Sequence, residues 1–393
     1  MFNLNRELRK YGTIQQSPNA VRTRYPYMLL RHLHVYNFKN YEDQYLEFAE
    51  GCHVLMGVNG SGKTNLLDAI FYLSFTKSAF ATTDLQNVRE GQQQFLVKGK
   101  FESASGRAEV SCAFQRGKKS VRENDVEYTR LAEHIGRYPV VLICPRDGDL
   151  VTGGSEARRR FFDSVLSQLH PDYLNGLIRY HYYLKQRNAL LQLSSQSGRI
   201  DEDLFAQYHQ QMEECAAVII RYRQHLMPGF VEKLRQHYSF VCGNTGEEPD
   251  IAYEATAPGA GLADMLQRTI PTDVAAMRTT VGPHRDRFTF ALSGRDLRKF
   301  GSQGQQKSFV VALKLAEFQS LERPGDKPIL LLDDIFDKLD DQRVMKLMAL
   351  IKGGAFGQVF ITDASPIRAS RIFEQAGIFP HIYRVDQGRV VPS

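Results

Sequence analysis

The sequence predicts an α/β fold with a helical insertion in its middle. Strand-like apolar runs alternate with helical patterns near both ends of the chain, whereas residues 155–237 are helical in pattern. A glycine-rich segment follows one apolar run, and a pair of aspartates follows another. Alternating strands and helices are typical of an α/β core. At 393 residues, the chain is long enough for two lobes.

Composition excludes several classes of protein. Hydrophobic residues make up 42% of the chain and charged residues 24%, which is typical of globular proteins and not of disordered or fibrous ones. No apolar run approaches the ~18–20 residues that span a bilayer, and the charged N-terminus is unlike a signal peptide. The five cysteines are far apart and form no C-x-x-C pair. We therefore expect a cytoplasmic protein with reduced thiols and no structural zinc.

Net charge gives no argument for nucleic acid. The formal net charge is +6, from 50 basic and 44 acidic residues. Residues 1–27 hold five basic and one acidic residue and show no apolar period, so we expect a disordered tail there, or a true start at Met28. The remaining chain is nearly neutral, and only local basic patches can indicate a nucleic-acid partner.

Apolar spacing predicts the elements in order. Before the helical middle it indicates a helix over 66–75 and strands near residues 30–35, 45–48, 52–56 and 140–144. Alternating apolar residues at 95–101 and 108–114, separated by the turn-like SASG, predict a hairpin. Further strands are expected near 288–292, 329–332 and 359–362.

The helical middle is expected to be interrupted. Pro171 and the pair Pro228-Gly229 punctuate it, which makes a long coiled coil a poor interpretation. Residues 243–260 are rich in Gly, Pro and Thr and are typical of a loop with a short strand.

The strongest motif is GVNGSGKT, from Gly57 to Thr64. It fits the P-loop pattern G-x-x-x-x-G-K-[ST], and it lies between an expected strand and an expected helix, as a P-loop must. Glycines let backbone N–H groups surround a phosphate at the positive end of a helix. Lys63 can then reach the β- and γ-phosphates, and Thr64 can place its hydroxyl on Mg²⁺. The alternative is an ordinary glycine-rich turn before a helix.

The second motif is ILLLDDIFDKLDD, residues 329–341. Its four apolar residues predict a buried strand, and two aspartates follow directly. Asp333 is placed to hold Mg²⁺ through its water shell, and Asp334 is placed to orient an attacking water. Without a P-loop, acidic residues that cap a helix would be the better interpretation; with one in the chain, the metal role is favoured.

The third motif is SQGQQ, Ser302 to Gln306, at the start of an apolar-periodic helix. It resembles the signature motif of ATP-binding-cassette proteins, with Gln303 where that motif has glycine. A serine and a glycine at a helix N-terminus can bind a second phosphate. The alternative is a plain N-cap, because Ser302 would cap a helix in any case.

Together the three motifs resemble those of the RecF family of DNA-repair ATPases, which are related to the heads of SMC (structural maintenance of chromosomes) and Rad50 proteins. The resemblance extends to four further stretches: LHVYNFKNYEDQYLEF (33–48), GSEARRRFFD (154–163), LSQLHPDYLNGLIRYHYYLKQRNALL (166–191) and GPHRDRF (282–288). On these stretches the chain is identified as a member of the family.

The resemblance implies the architecture and the partners. It implies a P-loop ATPase head of the ATP-binding-cassette, SMC and Rad50 type, with a first lobe over 28–145 plus 325–393 and a mostly helical second lobe over 146–324. It also implies ATP and Mg²⁺ as cofactors, an ATP-dependent homodimer, and binding to single-stranded, duplex and junction DNA. The family acts with the RecO and RecR mediators to load recombinase in gap repair and at replication forks, which implies a nucleoid-associated protein.

The resemblance also implies the site residues. Those expected to contact ATP, the last three from a partner protomer, are Gly57, Asn59, Gly60, Ser61, Gly62, Lys63, Thr64, Asn65, Ser302, Gly304 and Gln305. Asp334 and Lys63 are the expected catalytic residues, and Thr64 and Asp333 the expected metal ligands. Hydrolysis is expected to be weak, because Asp334 is one methylene shorter than the glutamate of transporters and no histidine follows residues 359–362.

Two other functions stay open as alternatives. An SMC- or Rad50-like chromosome-associated ATPase would need long uninterrupted heptads, and the helical middle offers few. The ATPase subunit of a transporter would need the catalytic glutamate and the switch histidine, which this chain replaces.

Two basic clusters are candidates for DNA contact. In residues 107–122 we favour Lys118 and Lys119 as phosphate contacts, because a hairpin tip is exposed. Residues 152–190 mix cations with aromatic residues, which suits nucleic acid and equally suits a solvated helix face over a core of aromatics. His284 and Arg285 are either structural or close to the nucleotide.

Overall fold

The structure is a computed structural model that describes residues 27–243, 246–257, 261–337 and 339–393. The predicted tail over 1–27 therefore lies outside the described residues, except for Tyr27. The described chain divides into two units. Unit 1 contains the residues up to Asp147, Phe240–Gly243 and Glu317–Ser393; unit 2 contains Gly148–Ser239 and the described part of 244–316. The functional lobes expected from the sequence stay a prediction.

The strands and helices are numbered in chain order. The strands are β1 (Leu29–Phe38), β2 (Tyr41–Glu47), β3 (Cys52–Met56), β4 (Gln94–Ser103), β5 (Gly106–Gln115), β6 (Lys118–Glu123), β7 (Val126–Glu127), β8 (Val140–Ile143), β9 (Pro249–Glu254), β10 (Arg287–Leu292), β11 (Arg295–Asp296), β12 (Ile329–Leu332), β13 (Val359–Asp363), β14 (His381–Asp386) and β15 (Arg389–Pro392). The helices are α1 (Lys63–Phe75), α2 (Asp149–Thr152), α3 (Ser155–Leu169), α4 (Pro171–Ser197), α5 (Glu202–Cys242), α6 (Leu262–Arg268), α7 (Ile270–Ala276), α8 (Leu297–Phe300), α9 (Gln303–Leu321), α10 (Asp341–Lys352) and α11 (Pro366–Ala376).

The central sheet of unit 1 has the order β15-β14-β3-β13-β12-β8. Strands β14, β3, β13, β12 and β8 pair in parallel, and β15 is antiparallel at the edge. Strands β3, β12 and β13 are buried along their whole length, as expected for a parallel sheet covered on both faces. Because parallel strands end at the same edge, the residues after β3, β12 and β13 come together there.

A second sheet of unit 1 is antiparallel, in the order β2-β1-β4-β5-β6-β7. Strands β4 and β5 form the hairpin predicted from the sequence, with Ser103 opposite Gly106. Helix α1 contributes Leu66, Ile70 and Leu73 to the hydrophobic core that also contains residues of this sheet. The core thus fixes the helix that begins directly after the glycine-rich loop.

Unit 2 combines long helices with the three-stranded sheet β11-β10-β9. One of its core clusters joins Leu166 with residues of α4, α5 and α6, among them Tyr173, Tyr180 and Ile219. Pro171 stands at the first position of α4, where proline starts a helix well. Among the residues that the structure describes, no helix is both long enough and apolar enough to cross a membrane.

The predicted interruption at Pro228-Gly229 is wrong. Helix α5 runs for 41 residues with Pro228 inside it. An interior proline costs ~3 kcal/mol. The adjacent Met227, Phe230 and Val231 are all buried, and fully burying each such side chain contributes ~1.5–3 kcal/mol. Packing therefore offsets the local preference for a break.

Candidate functional site

The glycine-rich loop leaves β3 at Met56 and enters α1 at Lys63. A β-carbon on Gly57 would lie 2.2 Å from the carbonyl oxygen of Val385, so only glycine fits there. Gly60 and Gly62 have φ angles of 82° and 118°, in the region that favours glycine. Each of the three glycines of the motif thus occupies a backbone position that favours glycine over any residue with a side chain.

Asn40, in the turn between β1 and β2, and Tyr41, the first residue of β2, hydrogen-bond to this loop. Asn40 donates from Nδ2 to the carbonyl oxygen of Ser61 at 3.1 Å, and the hydroxyl of Tyr41 donates to the carbonyl oxygen of Gly62 at 2.9 Å. Asn65 donates to Oδ1 of Asn40 at 2.8 Å. Sequence reasoning missed Asn40 and Tyr41, although both lie in the 33–48 stretch that carries the family resemblance.

The ammonium group of Lys63 lies against the loop. Nζ donates to the carbonyl oxygens of Gly57 at 2.7 Å and Val58 at 3.0 Å, and the side chain is buried. The hydroxyl of Ser61 is also buried, and it has no hydrogen-bond partner among the described residues. The loop therefore contains a buried cation that bonds two of its carbonyl oxygens, and a buried hydroxyl that bonds no residue in the described part of the chain.

Asp333 joins the end of β12 to the start of α1. Its Oδ1 accepts a hydrogen bond from the hydroxyl of Thr64 at 2.8 Å and another from that of Thr362 at 2.9 Å. Burial raises the pKa of Asp333, the two hydroxyl donors oppose that shift, and the charge of Asp334 adds to it. The structure thus brings together Thr64 and Asp333, the two metal ligands expected from the sequence.

Asp334 adopts a backbone conformation that is uncommon for a residue with a side chain. Its φ angle is 46°, in the left-handed region. Its N–H donates to the hydroxyl of Thr362 at 2.9 Å, which helps to hold the conformation. Thr362 lies within the next strand, β13, and the sequence gave it no role; its contact with the aspartates follows from the pairing of β12 with β13.

A cavity of about 410 Å³ lies over the loop. Its lining includes Pro145, the expected catalytic carboxylate of Asp334, and six of the expected ATP contacts. The six are Asn59, Gly60, Gly62, Lys63, Thr64 and Asn65. Gly57, Ser61 and Asp333 are not among the lining residues.

The SQGQQ motif lies in unit 2 and starts α9. Ser302 accepts a hydrogen bond at Oγ from the N–H of Gln305 at 3.2 Å, and Oε1 of Gln305 accepts one from the N–H of Ser302 at 2.7 Å. These reciprocal bonds form a capping box. Ser302 is therefore the N-cap of α9, as the alternative interpretation of the motif expected. Ser302 is also exposed, and Gly304 follows it in the first turn of the helix.

The structure corrects the expectation for the basic hairpin. Lys118 is exposed and stays a candidate phosphate contact. The expectation that Lys119 lies at an exposed hairpin tip is wrong, because its side chain is mostly buried, its Nζ donates to the carbonyl oxygen of Thr76 at 2.6 Å, and it pairs with Asp84 at 2.8 Å. The turn itself is formed by Arg116 and Gly117, both with positive φ.

Two arginines of the 152–190 cluster are structural. Arg158 is buried and donates to the carbonyl oxygens of Leu150, Val151 and Phe288. Arg187 is fully buried and pairs with Asp273 at 2.7 Å. The neighbouring aromatic residues Phe161, Phe162, Tyr173 and Tyr180 are buried as well. For these residues the structure supports the core interpretation.

His284 is tied into unit 2. Its Nδ1 is 2.7 Å from the hydroxyl of Tyr180, and its Nε2 is 3.1 Å from the carbonyl oxygen of Thr279. Burial lowers the pKa of His284 to about 4, so the ring is neutral at pH 7. Both ring nitrogens therefore have structural partners, whereas Arg285 is exposed.

Known proteins resemble this chain along nearly its whole length. The family model described as the RecF/RecN/SMC N terminal domain matches residues 29–388. The chain is 38% identical to the DNA replication and repair protein RecF of Cytophaga hutchinsonii, over 93% of this chain and 97% of that protein. It is 40% identical to the DNA replication and repair protein RecF of Bacteroides fragilis, over 92% of this chain and 98% of that protein.

Solved structures give the same result. The structure of the recombination mediator protein RecF-ATP in the RecFOR pathway superposes with a TM-score of 0.84 at 29% identity, over 96% of this chain and 100% of that chain. The SMC head domain of Pyrococcus furiosus, with an extended coiled coil and bound to the C-terminal domain of ScpA, superposes with a TM-score of 0.54 at 15% identity, over 93% and 96%. The second likeness shows the fold alone. The α/β ATPase-head fold predicted from the sequence is confirmed.

Proposed function

The chain belongs to the RecF family, and from this premise we propose that it is an ATP-switched DNA-binding protein of DNA replication and repair. The names of its relatives support the biological role. The geometry around Asp333 supports the nucleotide chemistry. Both parts of the proposal can be tested separately.

One contact carries the nucleotide part of the proposal. The hydroxyl of Thr64 and the carboxylate of Asp333 are 269 positions apart in sequence, yet they form a 2.8 Å hydrogen bond. A hydroxyl and a carboxylate are oxygen ligands of the kind that Mg²⁺ prefers, and P-loop enzymes hold Mg²⁺ with this pair. A glycine-rich turn without a nucleotide role would not need the carboxylate at that place.

The residues present fit a bound nucleotide. The backbone at Gly57 leaves no room for a side chain, and the hydroxyl of Ser61 is buried without a partner among the described residues. We assign phosphate contacts to the loop and to Lys63, and Mg²⁺ contacts to Thr64 and Asp333. The metal would neutralise charge on the phosphate oxygens.

Hydrolysis is proposed to be slow. Asp334 lines the cavity, and its carboxylate can orient an attacking water. Aspartate reaches one methylene less far than the glutamate of transporters, and the strained φ of Asp334 fixes its backbone. ATP turnover would then act as a timer for a switch and not as a metabolic reaction.

The switch we propose is assembly of two copies. Ser302, Gly304 and Gln305 of one protomer would contact the ATP that the partner's P-loop holds. The exposure of Ser302 and its place at a helix N-terminus suit a phosphate. ADP lacks the γ-phosphate, so only ATP would favour the dimer, and that differential affinity makes a switch.

The DNA part of the proposal follows from the relatives. We propose that the protein binds single-stranded DNA, duplex DNA and their junctions during gap repair and replication-fork maintenance. It would act at the nucleoid, together with the RecO and RecR mediators, and help to load recombinase. The solved relative is named as a member of the RecFOR pathway. The SMC likeness is limited to the fold, and unit 2 buries its long helices in its own core, so an SMC-type role is not proposed.

One experiment tests the proposal. Binding to duplex, single-stranded and junction DNA is measured with ATP, with ADP and without nucleotide. We expect ATP to raise the affinity for at least one of these substrates. Equal affinity under all three conditions would contradict the ATP switch, and the absence of binding to every substrate would contradict the DNA role.

A further inference from the structure

Two sequence stretches that the proposed function leaves without a role meet at one cavity of unit 2. They are GSEARRRFFD (154–163) and GPHRDRF (282–288). The cavity has a volume of about 590 Å³, and its lining includes Ser155, Arg159, Thr256, Thr280, Arg285 and Arg287. All of these residues belong to unit 2.

A buried aspartate fixes the backbone of the second stretch. Asp286 is fully buried, and its Oδ2 accepts hydrogen bonds from Arg223 at 2.8 Å and from the hydroxyl of Tyr253 at 2.5 Å. Its Oδ1 accepts one from the N–H of Thr256 at 2.8 Å. The residues on both sides of Asp286, Arg285 and Arg287, are exposed. The network therefore fixes the backbone between two arginines that line the cavity.

Arg159 links the two stretches. Its Nη1 donates to the backbone carbonyl oxygen of Asp286 at 2.7 Å. Burial lowers the pKa of Arg159, and the nearby charge of Arg223 lowers it further, while the carboxylates of Asp163, Glu156 and Asp286 oppose that shift. The hydrogen bond to Asp286 joins the first stretch to the backbone of the second.

Neither of the two exposed arginines, Arg285 and Arg287, forms an ion pair with an acidic residue that the structure describes. Of the acidic residues that line the cavity, Glu156 pairs with Arg160, and Glu254 stands opposite Arg287 on β9 without an ion-pair contact. The cavity thus offers two uncommitted guanidinium groups at a place that the fold fixes.

We propose that this cavity binds a phosphate of the DNA backbone, with Arg285 and Arg287 as its direct contacts. A guanidinium group presents a planar fork of donors that matches phosphate oxygens. Arg159 acts as a positioning residue, because it holds the backbone between the two arginines. The site is distinct from the P-loop, which lies in unit 1, and the inference rests on the proposed DNA-binding function.

The test compares two double variants of equal charge. Arg285→Gln/Arg287→Gln removes the two proposed contacts. Arg199→Gln/Arg268→Gln removes two other exposed arginines of unit 2 that do not line the cavity. Duplex-DNA affinity of the full chain is measured with ATP over a range of salt concentrations, and melting temperatures verify folding.

We expect the first double variant to lower the slope of log affinity against log salt by about 0.9 for each lost contact, and the second to leave it unchanged. The variant Arg285→Lys/Arg287→Lys keeps both charges, so it should keep the slope while losing affinity with the donor fork. It also tests the site if the glutamine variant does not fold. A wild-type slope in the glutamine variant, or an equal fall in the control, overturns the inference and leaves the proposed function intact.

A last arm distinguishes DNA from free phosphate. Melting temperature is measured with inorganic phosphate at constant ionic strength. If phosphate stabilises the wild type but not Arg285→Gln/Arg287→Gln, while both bind DNA with the same slope, the cavity takes free phosphate and the inference is overturned. If the wild type binds no DNA at all, the proposed function and this inference both fail.

Discussion

The hydroxyl of Thr362 hydrogen-bonds to two consecutive aspartates, to the side chain of Asp333 and to the backbone N–H of Asp334. It donates to Oδ1 of Asp333 at 2.9 Å and accepts the N–H of Asp334 at 2.9 Å. It is fully buried. One side chain at the end of β13 therefore helps to orient the expected metal ligand and the unusual backbone of the expected catalytic residue.

Thr362→Val tests this arrangement, because valine keeps the shape and removes the hydroxyl. The partly buried N–H of Asp334 would lose its acceptor, which costs up to ~1–3 kcal/mol. We expect unfolding by denaturant to show a loss of that size, together with weaker Mg²⁺-dependent ATP binding. Thr289→Val on β10 in unit 2 makes the same chemical change away from the site and serves as control. Unchanged ATP binding at saturating Mg²⁺ would assign Thr362 a purely structural role.

Lys63→Met removes the cation from the glycine-rich loop. We expect a large loss of ATP affinity, measured by titration calorimetry, because the residue is placed to reach the β- and γ-phosphates. The fold should persist with a small fall in melting temperature, since two hydrogen bonds to loop carbonyls are lost at ~0.5–1.5 kcal/mol each. Lys352→Met, at an exposed position of α10, should bind ATP normally. Equal ATP affinity in both variants is incompatible with a P-loop function.

The sequence predicted the parts of the site that lie in one continuous segment, and it missed the contacts that depend on the pairing of distant strands. The loop around Lys63 and the strand before Asp333 have contiguous signals, so the sequence placed them correctly. Thr362 and Asn40 reach the site only through strand pairing and a turn between distant elements, and no local pattern encodes those contacts. Pro228 shows the reverse case, in which packing overrides a local signal.

The two lysines of the hairpin should now behave differently. Lys118→Ala should weaken DNA binding and lower its salt slope by about 0.9 if the exposed ammonium contacts a duplex phosphate. Lys119→Ala should chiefly reduce stability, because it leaves Asp84 without its ion pair. Salt titrations of binding and melting curves of both variants check this. A larger change of salt slope in Lys119→Ala than in Lys118→Ala would contradict the structural assignment.

His284 should make stability depend on pH. Burial lowers its pKa to about 4 from an ordinary value near 6.5. Between these two pH values, His284 is therefore protonated in the unfolded chain and neutral in the folded one. Stability should therefore fall as pH falls from about 6.5 to 4, by ~1.4 kcal/mol for each pKa unit of difference. His284→Gln should flatten part of that slope in denaturant unfolding at several pH values. An identical slope in the variant would show that other groups, such as His53 and His209, account for it.

Ser302→Arg tests whether SQGQQ does more than cap a helix. The variant should still bind ATP as a monomer, because the glycine-rich loop lies in unit 1 and is unchanged. It should lose the ATP-dependent dimer, because a bulky cation replaces a small exposed donor at the proposed contact with the partner's nucleotide. It should also lose ~1 kcal/mol of stability, since the N-cap of α9 is removed.

Asp201→Arg is the control for the loss of a helix cap. Asp201 accepts a hydrogen bond from the N–H of Leu204 at the start of α5, so its replacement removes a cap and adds a cation elsewhere. Light scattering with ATP and with ADP on all three proteins decides between the two roles. The wild type and Asp201→Arg should dimerise with ATP only, and Ser302→Arg with neither nucleotide. If Ser302→Arg dimerises with ATP as the wild type does, the motif is a helix cap alone and the proposed switch is wrong.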